Sequence, residues 1–286
     1  MPHNHHGAGV ELLASYWTIA GGAIPHTGPE YSPFDFRDRV EACAKAGFRG
    51  MGFWHADIEH ILESRTVTEM KHILDDNGIK HVELEFITGW FSDGKQRKES
   101  DRIRKLLLGT AETLEARHIK IGDFIGAPCP MERLIEEYSK LCAEGVEHGT
   151  DIVFELIPWS TPGDLDEALV LVEGAGAANG GLMVDIWHFH SLKIPNTTTE
   201  KLPLKYLKGV EINDGPAQIS GDWSEQTVNH RLLCGEGEFD IKGLIKAVQN
   251  AGYEGPYGIE VLNKSMRSWP LDKLVTSAYE TTLAMF

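Results

Sequence analysis

A single (β/α)₈ barrel is the fold this sequence predicts, and three observations carry the expectation. Short apolar runs alternate with amphipathic stretches from end to end of the 286 residues, a length that suits the roughly 250 residues of eight such units. Four of the runs end in an acid: Val153-Phe154-Glu155-Leu156, Leu182-Met183-Val184-Asp185, Gly209-Val210-Glu211-Ile212 and Tyr257-Gly258-Ile259-Glu260. The acids lie 30, 26 and 49 residues apart, close to one strand–helix unit each. Finally, the segment after the first run, Trp17-Thr18-Ile19-Ala20-Gly21-Gly22-Ala23, lacks the G-x-G-x-x-G spacing that an open, doubly wound sheet usually carries there.

The elements follow in order. Strand one is expected over 10–17, and a helix over 33–46, with Val40, Ala44 and Ala46 on one side and Gly47 as its stop. Strand two is 50–54. The next helix opens at Thr66 or Thr68, where Thr66-x-x-Glu69 has the form of a capping box, and closes at Asn77-Gly78. Strand three covers 79–87. A helix over 100–116 places Ile103, Leu106, Leu107, Ala111 and Leu114 at spacings of three and four. Strand four is 119–122, and the helix over 131–148 runs through Leu134, Ile135, Tyr138, Leu141 and Val146. Strands five and six are 152–157 and 182–186, with a helix over 164–178 between them. A short crossover at 202–207 leads to strand seven, 209–212; a helix over 239–251, strand eight at 257–261 and a helix over 271–285 complete the chain. The whole of 1–286 reads as one domain with a flexible start over 1–9. The long irregular stretch 214–237 is expected to form a lid, because loops of that length in compact domains are usually functional.

Composition narrows the partners. With 42% hydrophobic and 24% charged residues the chain has material for a core. A net charge of −16 repels phosphate backbones and argues against nucleic acid. The four cysteines, Cys43, Cys129, Cys142 and Cys234, are scattered without a C-x-x-C pair and read as free thiols in a reducing compartment. The polar start, with His3, His5 and His6, reads as a flexible terminus and lacks a signal peptide's apolar core. No apolar stretch approaches the 18 or so residues of a membrane span. A soluble cytoplasmic protein without membrane partners is therefore expected. Barrels of this size often pair through their outer helices, so a homo-oligomer is compatible with the sequence.

Carboxylates at the ends of buried parallel strands are costly to desolvate unless something positive pairs with them. In a barrel the strand ends meet at one face, so Glu155, Asp185, Glu211 and Glu260 would converge on a divalent cation, one ion of Mn²⁺ or Mg²⁺ suiting an all-oxygen shell. The plainer alternative is that each acid caps the next helix or pairs with a basic neighbour. His188, three residues after Asp185, stands where strand six opens into its loop, able to bind a substrate oxygen or to ligate; His190 is a weaker candidate. Arg231, at the base of the expected lid, suits a polyhydroxylated or anionic ligand, or else a salt bridge to Glu236 or Asp240. Trp17, Trp54, His55, Trp90, Trp159 and Trp187 lie at or beyond strand ends, where aromatic walls would suit the apolar face of a sugar. Glu85 and Asp123 are further candidates for the site. No G-x-S-x-G elbow and no reactive cysteine motif is present, so nucleophilic hydrolysis is not expected.

At these residues the chain resembles the xylose-isomerase-like (β/α)₈ superfamily, the sugar phosphate isomerase/epimerase family. The likeness is sharpest from Phe154-Glu155 through Asp185-x-x-His188 and Gly235-Glu236-Gly237 to Ile259-Glu260. Glu155, Asp185, His188, Arg231 and Glu260 match the epimerase branch in order, whereas Glu211-Ile212-Asn213-Asp214 places Glu211 where that branch has a histidine. An all-carboxylate shell resembles the aldose–ketose isomerases of the superfamily and favours Mn²⁺ or Mg²⁺ over Zn²⁺. The resemblance implies a divalent-metal-dependent isomerase or epimerase of a sugar or keto-polyol, working through a stabilised enediolate with Glu155 and Glu260 moving the proton. It leaves a metal-dependent dehydratase, with His188 as acid, as the alternative, and a non-enzymatic sugar-binding barrel as the third reading. The scarcity of basic residues after strands seven and eight, apart from Arg231 and Lys264, points to an unphosphorylated substrate.

Overall fold

The computed structural model describes residues 9–286. The expected role of His3, His5 and His6 lies outside them. Eight parallel strands close into a barrel in sequence order: β1 Leu12–Ala14, β2 Gly50–Trp54, β3 His81–Ile87, β4 His118–Ile121, β5 Asp151–Glu155, β6 Gly180–Asp185, β7 Leu207–Ile212 and β8 Tyr257–Ile259. Closure is by β1 against β8, with Leu13 opposite Gly258. The fold is the single (β/α)₈ barrel the sequence predicts. No helix among the described residues is long and apolar enough to cross a membrane.

Most helices form where their periodicity and caps place them. The helix Phe36–Ala46 starts on Asp35, whose side chain accepts from the Arg37 amide, and stops at Gly47 with φ 117°. Thr66 and Glu69 make the reciprocal capping box that opens Val67–Asp76. Several boundaries differ from expectation by a few residues, and three departures are larger. Strand one is confined to Leu12–Ala14, because Thr18 turns the chain back: its hydroxyl donates to the Ile259 carbonyl and accepts from the Val261 amide. The helix expected over 100–116 begins earlier, as Gly94–Leu114, its polar first turns held by the Arg97–Asp101 and Arg102–Glu99 pairs. An unforeseen helix, His55–Leu62, follows β2 directly; it buries only Ile58, Ile61 and Asp57, too few for its period to stand out in sequence.

The apolar core lies between the barrel and its helices. The barrel interior is different, since Glu83, Glu85, His118, Lys120 and Glu211 are all buried there. Room for them comes from glycine: a Cβ on Gly258 would stand 2.8 Å from Glu211 Cγ. The segment 214–237 holds a helix, Trp223–Asn229, and is tied at its base by Asp214, whose carboxylate accepts from the Gly235, Gly237 and Phe239 amides.

The long connection after β1 is anchored by Asp57, which accepts from the Ser32 amide at 2.9 Å and from Arg39 Nη2 at 2.8 Å, all buried. Nearby, Glu30 accepts from the Trp54 indole at 3.0 Å and so orients that ring. Removing Asp57 strands the buried Arg39 guanidinium; Asp57→Ala is expected to lower stability by about 3–5 kcal/mol in denaturant unfolding.

Candidate active site

The ends of four strands bring the acids together. Glu155 and Asp185 are the last residues of β5 and β6, Glu211 lies opposite Asp185 on β7, and Glu260 follows β8. One carboxylate oxygen from each of these four residues lies within 4.8 Å of the others, and all four are buried; Glu155, Asp185 and His188 form an overlapping group. His188 Nε2 stands 3.0 Å from Glu155 Oε1.

Two cations are threaded through the acids. Arg231 Nη1 donates to Asp185 Oδ2 at 2.7 Å and to Glu260 Oε2 at 2.8 Å, while Thr227 holds the other side of the guanidinium. Arg231 therefore pairs with the acids of the site rather than with Glu236 or Asp240. From below, Lys120 on β4 donates to Glu211 Oε1 at 2.8 Å and to Glu260 Oε1 at 3.2 Å, and stands 3.2 Å from Glu85 Oε2. Ser15 also donates to Glu211 Oε1, at 2.7 Å. Sequence reasoning passed over Lys120 and Ser15, although a lysine between Ile119 and Ile121 in a buried strand demands a partner as surely as an acid does.

The electrostatics follow from this crowding. Burial works against the Lys120 ammonium, but Glu211, Glu260, Glu85 and Glu155 outweigh it and hold the group charged, well above the usual lysine range. Burial likewise opposes the charge on Asp185, yet Arg231 and His188 keep that carboxyl at about 2. Glu155 is lowered as well, burial being offset by Lys120 and His188. Glu85 is lifted by burial to about 7, and burial together with the Glu260 carboxylate pushes Glu211 well above the usual carboxylate range. The acids thus outnumber the cations, and Glu85 and Glu211 give up their protons less readily than ordinary carboxyls.

The donor set fits a hard divalent cation. Glu211 Oε2 is buried and has no hydrogen-bond partner among the described residues, and the same is true of His188 Nδ1. Carboxylate oxygens at one point are the ligands that such ions take.

Above the acids opens a cavity of about 360 Å³. Trp17, Trp54, Phe86, Phe124, Ile157 and Trp159 form its apolar walls, and Glu85, Glu155, His188, Arg231 and Glu260 its polar end. The 214–237 segment contributes Ser224, Thr227, Val228 and Arg231. Three expected wall residues, Trp187, His55 and Trp90, stand elsewhere. Trp187 is buried behind the site, its ring 5.5 Å from the Arg231 guanidinium carbon, and His55 turns away along its helix beside Trp54. Trp90 is buried and donates to the Gly122 carbonyl; Asp123 caps its own loop by accepting from the Ile125 and Gly126 amides and ties it to the loop after β5 by accepting from the Thr161 amide. His190 stacks on Phe239 and pairs with the Ala217 carbonyl.

The chain has relatives among known proteins. 3-Dehydroshikimate dehydratase of Pseudomonas aeruginosa is 26% identical over 241 residues, which cover 82% of this chain but 37% of the dehydratase, so the chain spans little more than a third of that relative. Inosose isomerase of Halalkalibacterium halodurans is 22% identical over 257 residues, covering 85% of this chain and 89% of the isomerase. Among solved structures, that of IOLI protein with a binding zinc atom matches with a TM-score of 0.82 at 16% identity, over 96% of this chain and 98% of the other, a likeness of fold. The profile of the xylose isomerase-like TIM barrel family matches residues 40–281. With that match over most of its length, the chain belongs to the xylose isomerase-like TIM barrel family.

Proposed function

We propose that the protein is a divalent-cation-dependent isomerase or epimerase of a neutral keto-sugar or keto-polyol. The observation that carries this reading is the convergence of Glu155, Asp185, Glu211 and Glu260 beneath an aromatic-walled cavity that Glu155 and Glu260 line. When bound among them, a divalent ion such as Mn²⁺ or Mg²⁺ supplies Lewis-acid polarisation of a substrate carbonyl and its neighbouring hydroxyl. The zinc atom bound in the IOLI structure supports a divalent ion in a barrel of this fold without fixing its identity here.

The protein's own groups do the rest. Glu155 and Glu260 approach the cavity from strands that are three apart around the barrel, so they address a substrate from different sides. Glu155, kept ionised by Lys120 and His188, is suited to take the proton α to the carbonyl; Glu260 is placed to return one to the other face, which inverts or relocates the stereocentre. His188, against Glu155 and facing the cavity, orients that carboxylate and a substrate oxygen. Arg231 is held by Asp185, Glu260 and Thr227, and acts by fixing those acids. The segment 214–237, whose residues line the cavity, serves as its cover and limits water.

The substrate class follows from the lining. Trp17, Trp54 and Phe86 offer flat faces to the C–H side of a ring. Among the described residues, Arg231 is the one lysine or arginine lining the cavity, and its charge is taken up by Asp185 and Glu260. No charge in that lining is left to neutralise a phosphate, so the substrate is unphosphorylated. A second reading, loss of a β-hydroxyl from the same carbanion with His188 as acid, is favoured by the similarity to 3-dehydroshikimate dehydratase. The reaction products separate the two, since only elimination gives an enone.

Three results are expected. Protein loaded with Mn²⁺ should hold about one ion per chain, and EDTA should remove both the ion and the activity. Incubation with keto-hexoses and inososes in D₂O should exchange the α-proton by NMR; Glu155→Gln and Glu260→Gln should each slow exchange by at least about 100-fold. A phosphorylated ketose should react at least about 100-fold less efficiently in kcat/KM than its neutral parent, as an unpaired dianion entering an acidic cavity must. Equal efficiency for the two would exclude the neutral-substrate assignment.

A further inference from the structure

Lys120 has no part in the proton transfers proposed above, yet it is fully buried at the centre of the barrel. Its ammonium meets Glu211 Oε1 at 2.8 Å, Glu85 Oε2 at 3.2 Å, Glu260 Oε1 at 3.2 Å and Glu155 Oε2 at 4.0 Å. An ammonium has three protons to give. The three nearest carboxylates account for them, and Lys120 does not line the cavity. It therefore supports the acids from beneath, as Arg231 does from the side of the loop. A buried lysine is retained only when paired, and here each close ionic partner is an acid of the cluster. The arrangement is also selective by atom. Lys120 and Ser15 both occupy Glu211 Oε1 and leave Oε2, equally buried, without a partner among the described residues.

We infer that Lys120 is the positioning residue of the cation site: a resident positive charge that holds Glu85, Glu211 and Glu260 in place from below and keeps Glu211 Oε2 turned toward an incoming divalent ion. The inference rests on the cation-dependent reading of the site. It carries two consequences. The cluster stays assembled when no divalent ion is bound, because Lys120 and Arg231 already oppose its charge. The same ammonium, sharing carboxylates with the ion, weakens the ion's hold and leaves it exchangeable.

The test compares wild type, Lys120→Met and the double variant Lys120→Met/Glu211→Gln by thermal unfolding, each in EDTA and in excess Mn²⁺, with Mn²⁺ affinity measured by calorimetry. In EDTA, Lys120→Met should melt about 10 °C below wild type, as expected for a broken buried ion pair in a chain of this size. The double variant, which removes a charge from each side, should recover about half of that loss. Mn²⁺ should raise the melting temperature of Lys120→Met more than that of wild type, and bind it about tenfold more tightly, because a like charge has gone. A lysine that only filled space would give equal Mn²⁺ shifts in both proteins, and that result overturns the inference. So does a Lys120→Met protein that melts in EDTA with wild type. If Lys120→Met does not fold in EDTA, its recovery in Mn²⁺ or in the double variant supports the inference, and failure of both contradicts it. Wild type that binds no Mn²⁺ would instead overturn the proposed function, and the comparison in EDTA would still decide the role of Lys120.

Discussion

Five carboxylates and two permanent cations share the upper interior of this barrel, and the balance between them governs much of the structure. Buried charge is tolerated only when it is paired and hydrogen-bonded. The barrel meets that demand with Lys120 from β4 and Arg231 from the segment after β7. Each cation bridges acids from different strands, so Glu85, Glu155, Asp185, Glu211 and Glu260 are fixed relative to one another even though they are far apart in sequence. Neighbouring residues serve the same purpose: Ser15 fills one face of Glu211, Thr227 fixes the guanidinium, and Gly258 clears the space that Glu211 occupies. The five acids still exceed the two cations in number, and this links the site's electrostatics to the proposed chemistry.

The aromatic walls complement the charged floor. Trp54 is held by Glu30, and through the neighbouring Asp57–Arg39 pair the loop after β1 is anchored to the helices flanking β2. The packing that stabilises one side of the barrel thus also shapes the cavity. Cavity-facing tryptophans set by the scaffold, and acids set by two cations, make a largely preformed cavity; under the proposed function, a substrate's binding is then spent on orientation.

Much of this was legible in the sequence. Strand–helix alternation predicts the barrel, and the four acids at strand ends predict where its charged face lies, since strand ends of a closed parallel barrel meet. Thr66–Glu69 and Gly47 predict helix limits because caps are local. What was not legible depends on distance across the barrel. The partners of Lys120 lie on β3, β5, β7 and just beyond β8, and nothing in Ile119-Lys120-Ile121 identifies them. Arg231 was visible as a candidate, but its pairing with Asp185 and Glu260, rather than with nearby Glu236 or Asp240, follows from the fold of the 214–237 segment. Trp187 and His55 sit at strand ends as read, yet the short helices that begin there turn both side chains away from the cavity.

The central claim is that Glu155, Asp185, Glu211 and Glu260 together form a divalent-cation site. Diffraction from crystals grown with Mn²⁺, recorded at the manganese absorption edge, tests it most directly. One strong anomalous peak per chain is predicted, among these four carboxylates and within about 2.0–2.6 Å of their oxygens. A peak elsewhere, or none at saturating Mn²⁺ with Lys120 and Arg231 holding the acids as before, would contradict it.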